Sequence, residues 1–353
     1  QQVNIISTAV PFIGIAPDSR AGAMGNAGVA TSPDVNSQHW NPAKFAFIDS
    51  NMGASMSYTP WLRKLVNDIN MYYLTGFMRL DEMQTISASL RYFTLGEIIY
   101  TQDGIVKTPV KPNEFALDVA YSRLLSEKFS GAVAFRYIRS DLNAMQEDMQ
   151  PGNSFAADLA FYYRTPVKLM GESSELAAGI NVSNIGNKIS YNEVDKLFIP
   201  TNLRLGLALD SELDSYNRVV FTLDLNKLMV PTPRRSTDES GDDYRMEYSN
   251  MSVTKAMFQS FSDAPGGMKE ELQEITYSLG AEYWYANQFA LRAGYFHEHE
   301  LKGNRKHFTA GVGIQFNMMT LDASYIIPVV ADNPLANTIR FSLGIDLDQL
   351  SKR

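Results

Sequence analysis

Strict alternation of apolar and polar residues is the sequence feature that most constrains the fold of this chain. Near the end of the sequence, five apolar residues alternate with five polar or small ones: Ile339, Phe341, Leu343, Ile345 and Leu347 with Thr338, Arg340, Ser342, Gly344 and Asp346. A period of two residues indicates an extended strand with one apolar and one polar face. Fourteen such segments occur without helical segments between them, which favours either a soluble all-β protein or a transmembrane barrel.

Most of the predicted strands are about ten residues long, the length of a tilted strand that crosses a bilayer. The predicted strands are 51–60, 68–79, 84–93, 113–122, 128–139, 153–164, 174–184, 201–210, 217–226, 274–285, 288–298, 305–316, 318–327 and 336–347. Their apolar sets, such as Leu203, Leu205 and Leu207, are expected to face outward. The residues between them, such as Arg204 and Gly206, are expected to face inward.

The predicted connections alternate between short and long. Only a few residues follow the second, fourth, tenth and twelfth strands, whereas the connections at 94–112, 140–152, 185–200 and 227–273 are long. Outer-membrane barrels have short periplasmic turns and long extracellular loops, and a soluble sandwich has no reason to sort its loops in this way. The predicted connection at 165–173 is longer than the other short turns on the periplasmic side. We therefore predict a 14-stranded antiparallel transmembrane β-barrel in the bacterial outer membrane, with both termini periplasmic.

Composition is compatible with a barrel embedded in the lipid bilayer. The 353 residues are 45% hydrophobic and carry a formal net charge of −8. A membrane barrel needs no large apolar core, because its apolar side faces lipid and its lumen is polar.

The absence of cysteine excludes disulfides and thiolate metal sites, and the acidic balance argues against nucleic acid as a partner. Because the chain starts at Gln1 without an initiator Met, we expect a mature form whose export signal has been removed.

Residues 1–50 differ from the rest, because they are rich in Gly, Ala, Asn and Pro and show no long alternation. Glycines recur at Gly22, Gly25 and Gly28, a spacing that is not the GxGxxG of a nucleotide loop and that suits tight packing inside a barrel lumen. We therefore predict a luminal hatch segment at 1–50 and a barrel at 51–353 with a long extracellular loop at 227–273. Arg20 and Asp34 are the hatch charges expected to meet the luminal wall.

Two N-terminal motifs carry a resemblance to known proteins. The sequence Arg20-Ala-Gly-Ala-Met-Gly25, followed by Trp40-Asn-Pro-Ala43 and fourteen predicted strands, resembles the FadL superfamily of outer-membrane proteins. Within it, Thr8-Ala-Val-Pro-Phe12 and Ser37-Gln-His-Trp-Asn-Pro-Ala-Lys44 are similar to the PorV (LptO) family of the type IX secretion system in Bacteroidetes.

The resemblance implies a non-enzymatic cargo shuttle. Such a protein would bind secreted cargo proteins by their C-terminal signal domains at a giant outer-membrane translocon barrel and pass them to the surface attachment complex. It also implies a hatch role for a set of N-terminal residues: Arg20, Gly22, Gly25, Gly28, Asp34, Asn41 and Pro42.

Two other functions are open. One is a FadL-type transporter of hydrophobic small molecules, and the other is a lipid-modifying barrel enzyme. An enzyme would need a nucleophilic Ser near a His and a carboxylate or metal, and no spacing singles out such a set, so no catalytic residue, metal site or cofactor is predicted. His297, His299 and His307 are close enough to meet near the rim, but Glu298 and Glu300 beside them favour an ordinary charged rim.

The connection at 227–273 is the most informative functional segment, because a loop of this length is either functional or disordered. It contains the basic pair Arg234-Arg235, the acidic patch 238–243 and an apolar piece near its end. Met257, Phe258 and Phe261 fall on one face if that piece is helical. We expect them either to bind another protein or to pack down over the barrel mouth.

Overall fold

The computed structural model describes residues 3–348 except 64–67, 100, 103–104, 107–108, 143–149, 170–171, 193–194, 234–249, 330–334 and 336–337. In this part of the chain, fourteen antiparallel strands form a closed barrel in which each strand pairs with its sequence neighbours and the first pairs with the last. The prediction of a 14-stranded antiparallel barrel is therefore confirmed.

The barrel strands are β1 Met52–Pro60, β2 Asn70–Arg79, β3 Gln84–Thr94, β4 Asn113–Ser126, β5 Phe129–Asp141, β6 Gly152–Leu169, β7 Glu172–Gly186, β8 Asn202–Glu212, β9 Asn217–Leu228, β10 Thr276–Tyr285, β11 Phe289–His297, β12 Lys306–Phe316, β13 Met319–Pro328 and β14 Ile339–Asp346. A further pair of two-residue strands, Thr101–Gln102 and Ile105–Val106, lies in the connection after β3.

Alternating burial follows the sequence pattern along most of the barrel strands. In β4, for example, Leu117 and Val119 are exposed on the outside, whereas Asp118 and Ala120 are buried inside. Closure between β1 and β14 pairs Ser57 with Ser342, so none of the fourteen barrel strands has an unpaired edge. This satisfies the backbone within the barrel, which a wall surrounded by lipid requires.

The connection predicted at 165–173 is mostly strand. β6 continues to Leu169 and β7 begins at Glu172, with Thr165 paired to Leu176 and Leu169 paired to Glu172. Pro166 and the charged residues around it are typical of a turn, but backbone pairing between the two strands continues through them. The connection is therefore short, as on the other turns at this end of the barrel.

Short helices lie in the N-terminal segment and in the long connection. They are α1 Ser19–Ala23, α2 Ser37–Trp40, α3 Val253–Gln259 and α4 Met268–Gln273, with 3₁₀ turns at Pro11–Gly14, Pro42–Phe47 and Glu300–Lys302. Among the helices of the described ranges, none is long and apolar enough to cross a membrane.

Residues 3–9 lie at the long-connection end of the barrel. The Asn4 amide donates to the Leu301 carbonyl at 2.9 Å, and the Ala9 amide donates to the Phe198 carbonyl at 2.9 Å. β14, in contrast, ends at the short-turn end. The two ends of the chain were expected on one side, but residues 3–9 lie at the opposite end from β14, because the segment up to residue 48 threads the lumen before β1 begins.

Leu205→Arg tests the assignment of the two faces. It places a charge on the lipid-facing side of β8 and should destabilise the barrel in lipid by about 2–4 kcal/mol. The matched control is Leu213→Arg, because Leu213 is also exposed but lies just beyond the end of β8, where the cost should be about 0–1 kcal/mol. Urea titrations of the protein in lipid vesicles measure both values, and equal destabilisation would contradict the assignment.

Candidate functional site: a hatch in the lumen and a lid above it

Residues 9–48, which we call the hatch, fill the barrel lumen. At the long-connection end, Val10, Phe12 and Ile13 are buried against apolar side chains of the wall such as Met71 and Phe93. At the short-turn end, Phe45 and Ile48 form a second cluster with Phe77 of β2. The hatch is therefore anchored by apolar contacts at both ends of the lumen.

Two polar side chains define the local structure of the hatch. Asp18 caps α1, because its carboxylate accepts from the Ala21 amide at 2.9 Å, and it also accepts from the Trp40 indole at 2.6 Å. Asn41 accepts from the Ala43 amide at 3.1 Å and donates to the carbonyls of Val29 and Phe161.

Pro42 occupies the first position of the 3₁₀ turn after Asn41. Its missing N–H costs nothing at this position, because the first amides of a helical turn have no partner within the turn. Asn41 and Pro42 therefore direct the chain from α2 toward the start of the barrel.

Arg20 connects the hatch to the wall by a buried double hydrogen bond. Its guanidinium donates to the Glu282 carboxylate at 3.0 and 2.8 Å and to Asp34 at 2.9 Å. Glu282 of β10 also accepts from Arg292 of β11 at 2.6 Å, and Arg292 donates to Asp322 of β13 at 2.6 Å. These five side chains form one chain of alternating charges from the hatch across the wall.

Asp34 does not meet the wall as expected. Its carboxylate accepts from Arg20, from the Asn36 amide and from the Ser37 hydroxyl, all of which belong to the hatch. Asp34 therefore orients Arg20 toward Glu282 instead of making its own wall contact.

The hatch backbone is also held by a wall carboxylate. Asp224 of β9 accepts from the amides of Gly28 and Val29 at 2.7 and 2.9 Å. From the hatch side, Lys44 donates to the Gly28 carbonyl at 2.8 Å and to the Thr31 hydroxyl at 3.1 Å. The turn around Gly28 is thus fixed from both sides.

The three spaced glycines lie where the hatch is most crowded. Gly25 has φ of 67°, and a Cβ there would lie 2.6 Å from the Tyr295 carbonyl oxygen. A Cβ on Gly28 would lie 2.6 Å from the Trp40 ring, and one on Gly22 would lie 3.0 Å from an Arg340 nitrogen. Any larger side chain at Gly25 would be strained by both the backbone conformation and the contact.

His39 lies between two arginines of the wall, a contact that sequence reasoning missed. Arg91 of β3 donates to His39 Nδ1 at 2.8 Å, and Arg204 of β8 donates to the His39 carbonyl at 3.3 Å. Because arginine can only donate, Nδ1 accepts from Arg91, and an Arg204 nitrogen also lies 3.3 Å from Nε2. Arg204 was predicted to face inward, but no sequence signal indicates which hatch residue it meets.

Above the hatch, part of the long connection folds into a compact unit. We call residues 250–275, which contain α3 and α4, the lid. Lys227 donates to Glu271 and Glu274 at 3.0 and 2.6 Å, and Lys302 donates to Glu270 and Glu274 at 2.5 and 2.9 Å. The lid is therefore fixed to the end of β9 and to the connection that follows β11.

Glu270 also contacts the start of the chain. Its carboxylate accepts from the Asn4 side chain at 3.0 Å. Burial alone would raise the pKa of Glu270, but the hydrogen bonds from Lys302 and Asn4 outweigh it and lower this pKa. Glu270 is thus held as a carboxylate that joins the lid to the N-terminal segment.

The three apolar residues predicted in this connection do not share one face. Met257 is buried, with 8% of its surface exposed, whereas Phe258 is 77% exposed. Consecutive helical residues point about 100° apart, and Phe261 lies beyond the end of α3 at Gln259. The acidic patch and Arg234-Arg235 lie outside the described residues.

Exposed apolar side chains of the lid come instead from both helices and the segment between them. They are Phe258, Phe261, Met268 and Leu272, which we call the apolar lid surface. Met268 and Leu272 were not predicted, although their spacing of four residues is the signal that would have placed them on one helical face.

The three rim histidines do not converge. His307 pairs in register with Phe296 and faces the lumen, whereas His297 pairs with Lys306 and faces outward. His299 caps the turn Glu300–Lys302. Within the described residues, no group of His, Asp and Glu side chains is arranged to hold a metal ion.

Solved structures share this architecture. The toluene transporter TodX of Pseudomonas putida has 12% identity and a TM-score of 0.51 and covers 98% of each chain. The monoaromatic hydrocarbon channel CymD has 11% identity and a TM-score of 0.50, covering 96% of this chain and 99% of its own. A FadL homologue of Pseudomonas aeruginosa has 12% identity and a TM-score of 0.45, with coverages of 98% and 99%. No curated protein matches the sequence significantly.

The closed 14-stranded barrel with an N-terminal segment in its lumen has the same fold as the TodX and CymD barrels. A family model described as "Type IX secretion system protein PorV" matches residues 1–235 of the 353. The chain belongs to the PorV family and is an outer-membrane component of the type IX secretion system.

Arg20→Gln tests the ion chain between hatch and wall. It removes a charge that Glu282 and Asp34 share, and breaking a buried pair in this way should destabilise the seated hatch by about 3–5 kcal/mol. Hydrogen exchange of amides 19–48 in the lipid-embedded protein measures the effect. The control is Arg139→Gln, because the Arg139–Asp141 contact at 3.8 Å is partly exposed and should be worth about 1 kcal/mol or less. Unchanged protection in Arg20→Gln would show that the ion chain does not seat the hatch.

Replacing both Gly25 and Gly28 with Val should displace the hatch, because neither side chain has room. We expect a higher single-channel conductance in planar bilayers than the native protein shows. The control is Gly14→Val in the same segment, because a Cβ there meets nothing within 4 Å. A double variant that conducts no better than Gly14→Val would argue against the hatch as the barrier.

Proposed function

We propose that this PorV-family barrel is a non-enzymatic cargo shuttle of the type IX secretion system. It binds secreted proteins by their C-terminal signal domains at the translocon barrel and delivers them to the surface attachment complex. The observation that carries the proposal is the apolar lid surface, which is exposed on a folded and firmly attached scaffold.

Attachment of the lid supports a docking role. The helix α4 is held by ion pairs from Lys227 and Lys302, whose side chains are almost fully buried. The helix α3 is held by apolar packing of Ala256 against Phe198 and Val230. A rigid scaffold lowers the entropic cost of binding, because few side chains must be ordered when a partner docks. Exposed aromatic residues on such a scaffold are typical of the few anchors that contribute most of the binding energy in protein interfaces.

The filled lumen also supports shuttling over transport through the barrel. The hatch is held by Glu282, Asp224 and apolar contacts at both ends, so passage of a hydrophobic molecule would require several buried contacts to break. The related structures named as a toluene transporter and a hydrocarbon channel share the fold alone at 11–12% identity. Function is carried by sites and not by the fold, so their substrates are not transferred to this chain.

We propose the long-connection end as extracellular, with residues 9–48 as the functional hatch and residues from 52 onward as the barrel. Long loops are extracellular in outer-membrane barrels, and the lid belongs to the longest of them. In this orientation the apolar lid surface faces the side on which secreted cargo emerges.

Replacing Phe258 and Phe261 with Ser tests the docking role. Barrel assembly should be unaffected, because both residues lie outside the membrane-spanning strands and their side chains are exposed by 77% and 40%. Recovery of the translocon barrel and cargo in pull-downs from native membranes should fall by about thirtyfold or more, the effect of losing at least one interface anchor worth about 2 kcal/mol.

Two variants serve as controls for this pull-down. Leu80→Ser with Leu125→Ser changes two exposed leucines at the short-turn end and should leave recovery unchanged. Met257→Ser should disturb the lid itself, because Met257 is buried. Undiminished recovery with the double Ser variant at Phe258 and Phe261, at matched barrel levels, would refute docking through the lid.

A further inference from the structure

A shallow apolar depression, open to the membrane, lies on the outer side of the wall across β7–β12, with a volume of about 580 Å³. We call it the furrow. Its lining includes Leu207, Phe221, Ala281, Ala293, Tyr295 and Phe308. This volume falls in the range of pockets that hold small ligands, roughly 300–1,000 Å³.

Small side chains in the middle of the wall form the furrow. Ala281 of β10 pairs with Ala293 of β11, which pairs with Ala310 of β12. The neighbouring outward positions on these strands, such as Leu279 and Tyr295, carry large side chains. The alanines therefore form the floor of a depression that faces the hydrocarbon layer of the bilayer.

Packing inside the barrel does not explain these alanines. The inward glycines between them do have an inside cause, because a Cβ on Gly280 would lie 2.6 Å from the Met24 Cβ of the hatch. Ala281 and Ala293 point to the other side of the wall, where no part of the hatch lies. The shape of the furrow is therefore available to a molecule in the membrane.

One end of the furrow carries a basic group. The next outward residues beyond Tyr295 and Phe308 are His297 and Lys306, which lie opposite each other in the register. The nearby Glu298 is engaged by Arg305 at 2.6 Å. Lys306 forms no ion pair with any residue in the described ranges, so its ammonium is available to an external anion.

We propose that the furrow binds one anionic lipid of the outer membrane. An acyl chain lies over Ala281 and Ala293, and the phosphate of the headgroup is held by Lys306 beside His297. An apolar cleft with a polar group at one end orients its ligand, and a lysine near the membrane surface attracts anionic headgroups. This site is independent of the lid and of cargo binding.

Filling the furrow tests the proposal. The protein is reconstituted in bilayers of equal phosphatidylglycerol and phosphatidylcholine, and lipids retained after release are counted by native mass spectrometry. The native protein should retain one phosphatidylglycerol, and Ala281→Leu with Ala293→Leu should lose it. The control is Ala157→Leu, which also points outward but lies on β6 opposite Phe135, away from the furrow.

The charge is tested separately with Lys306→Gln. It should reduce the preference for phosphatidylglycerol over phosphatidylcholine about fivefold, the effect of one lysine at a membrane surface. Heat-modifiable mobility on gels confirms that each variant is folded.

Three results would overturn the lipid site. The first is lipid retention by the double Leu variant, and the second is equal retention of both lipids by the native protein. The third is that the double Leu variant retains the lipid unchanged but no longer recovers the translocon in pull-downs. The furrow would then be a protein-docking face. Because lipid retention is measured without translocon or cargo, failure here leaves the proposed shuttle function untouched.

Discussion

A chain of buried charges ties the hatch to the barrel wall, and the rest of the lumen is arranged around it. Arg20 binds Glu282, which also binds Arg292, which in turn binds Asp322. Any one of these charges alone would be costly to bury, and their mutual attraction offsets that cost only when the hydrogen bonds are complete. Because the partners come from the hatch and from β10, β11 and β13, the chain is complete only in a closed barrel.

The same ion chain depends on small residues in the wall. Gly280 lies two positions before Glu282 on β10, and its inner side contacts Met24 at the end of α1. A larger side chain at Gly280 would push the hatch inward and lengthen the contact between Arg20 and Glu282. The glycines therefore set the depth at which α1 lies, and the charges hold it there.

The barrel strands were predictable from the sequence, because lipid on one side and the lumen on the other require a two-residue period in hydrophobicity. Lipid outside and polar groups inside force alternation on every strand, so all fourteen strands were found within a few residues of their observed ends. The errors in the predicted strand ends occur where the strands extend beyond the bilayer. Pro166 lies in a part of β6 that continues beyond the alternating segment, so nothing in the pattern distinguished strand from turn there.

The contacts of the hatch and the lid were only partly predictable, because irregular segments have no period that fixes which side chain faces which neighbour. Arg20 was correctly expected to meet the wall, since a buried arginine in a lumen lined with carboxylates needs a partner. Asp34 was not, because a turn within the hatch brings it back to Arg20. In the lid, the rotation of α3 about its axis determines that Met257 is buried and Phe258 exposed. Packing of Ala256 against Phe198 and Val230 fixes this rotation. Residues far apart in sequence thus determine which apolar side chains of the lid remain free to bind a partner.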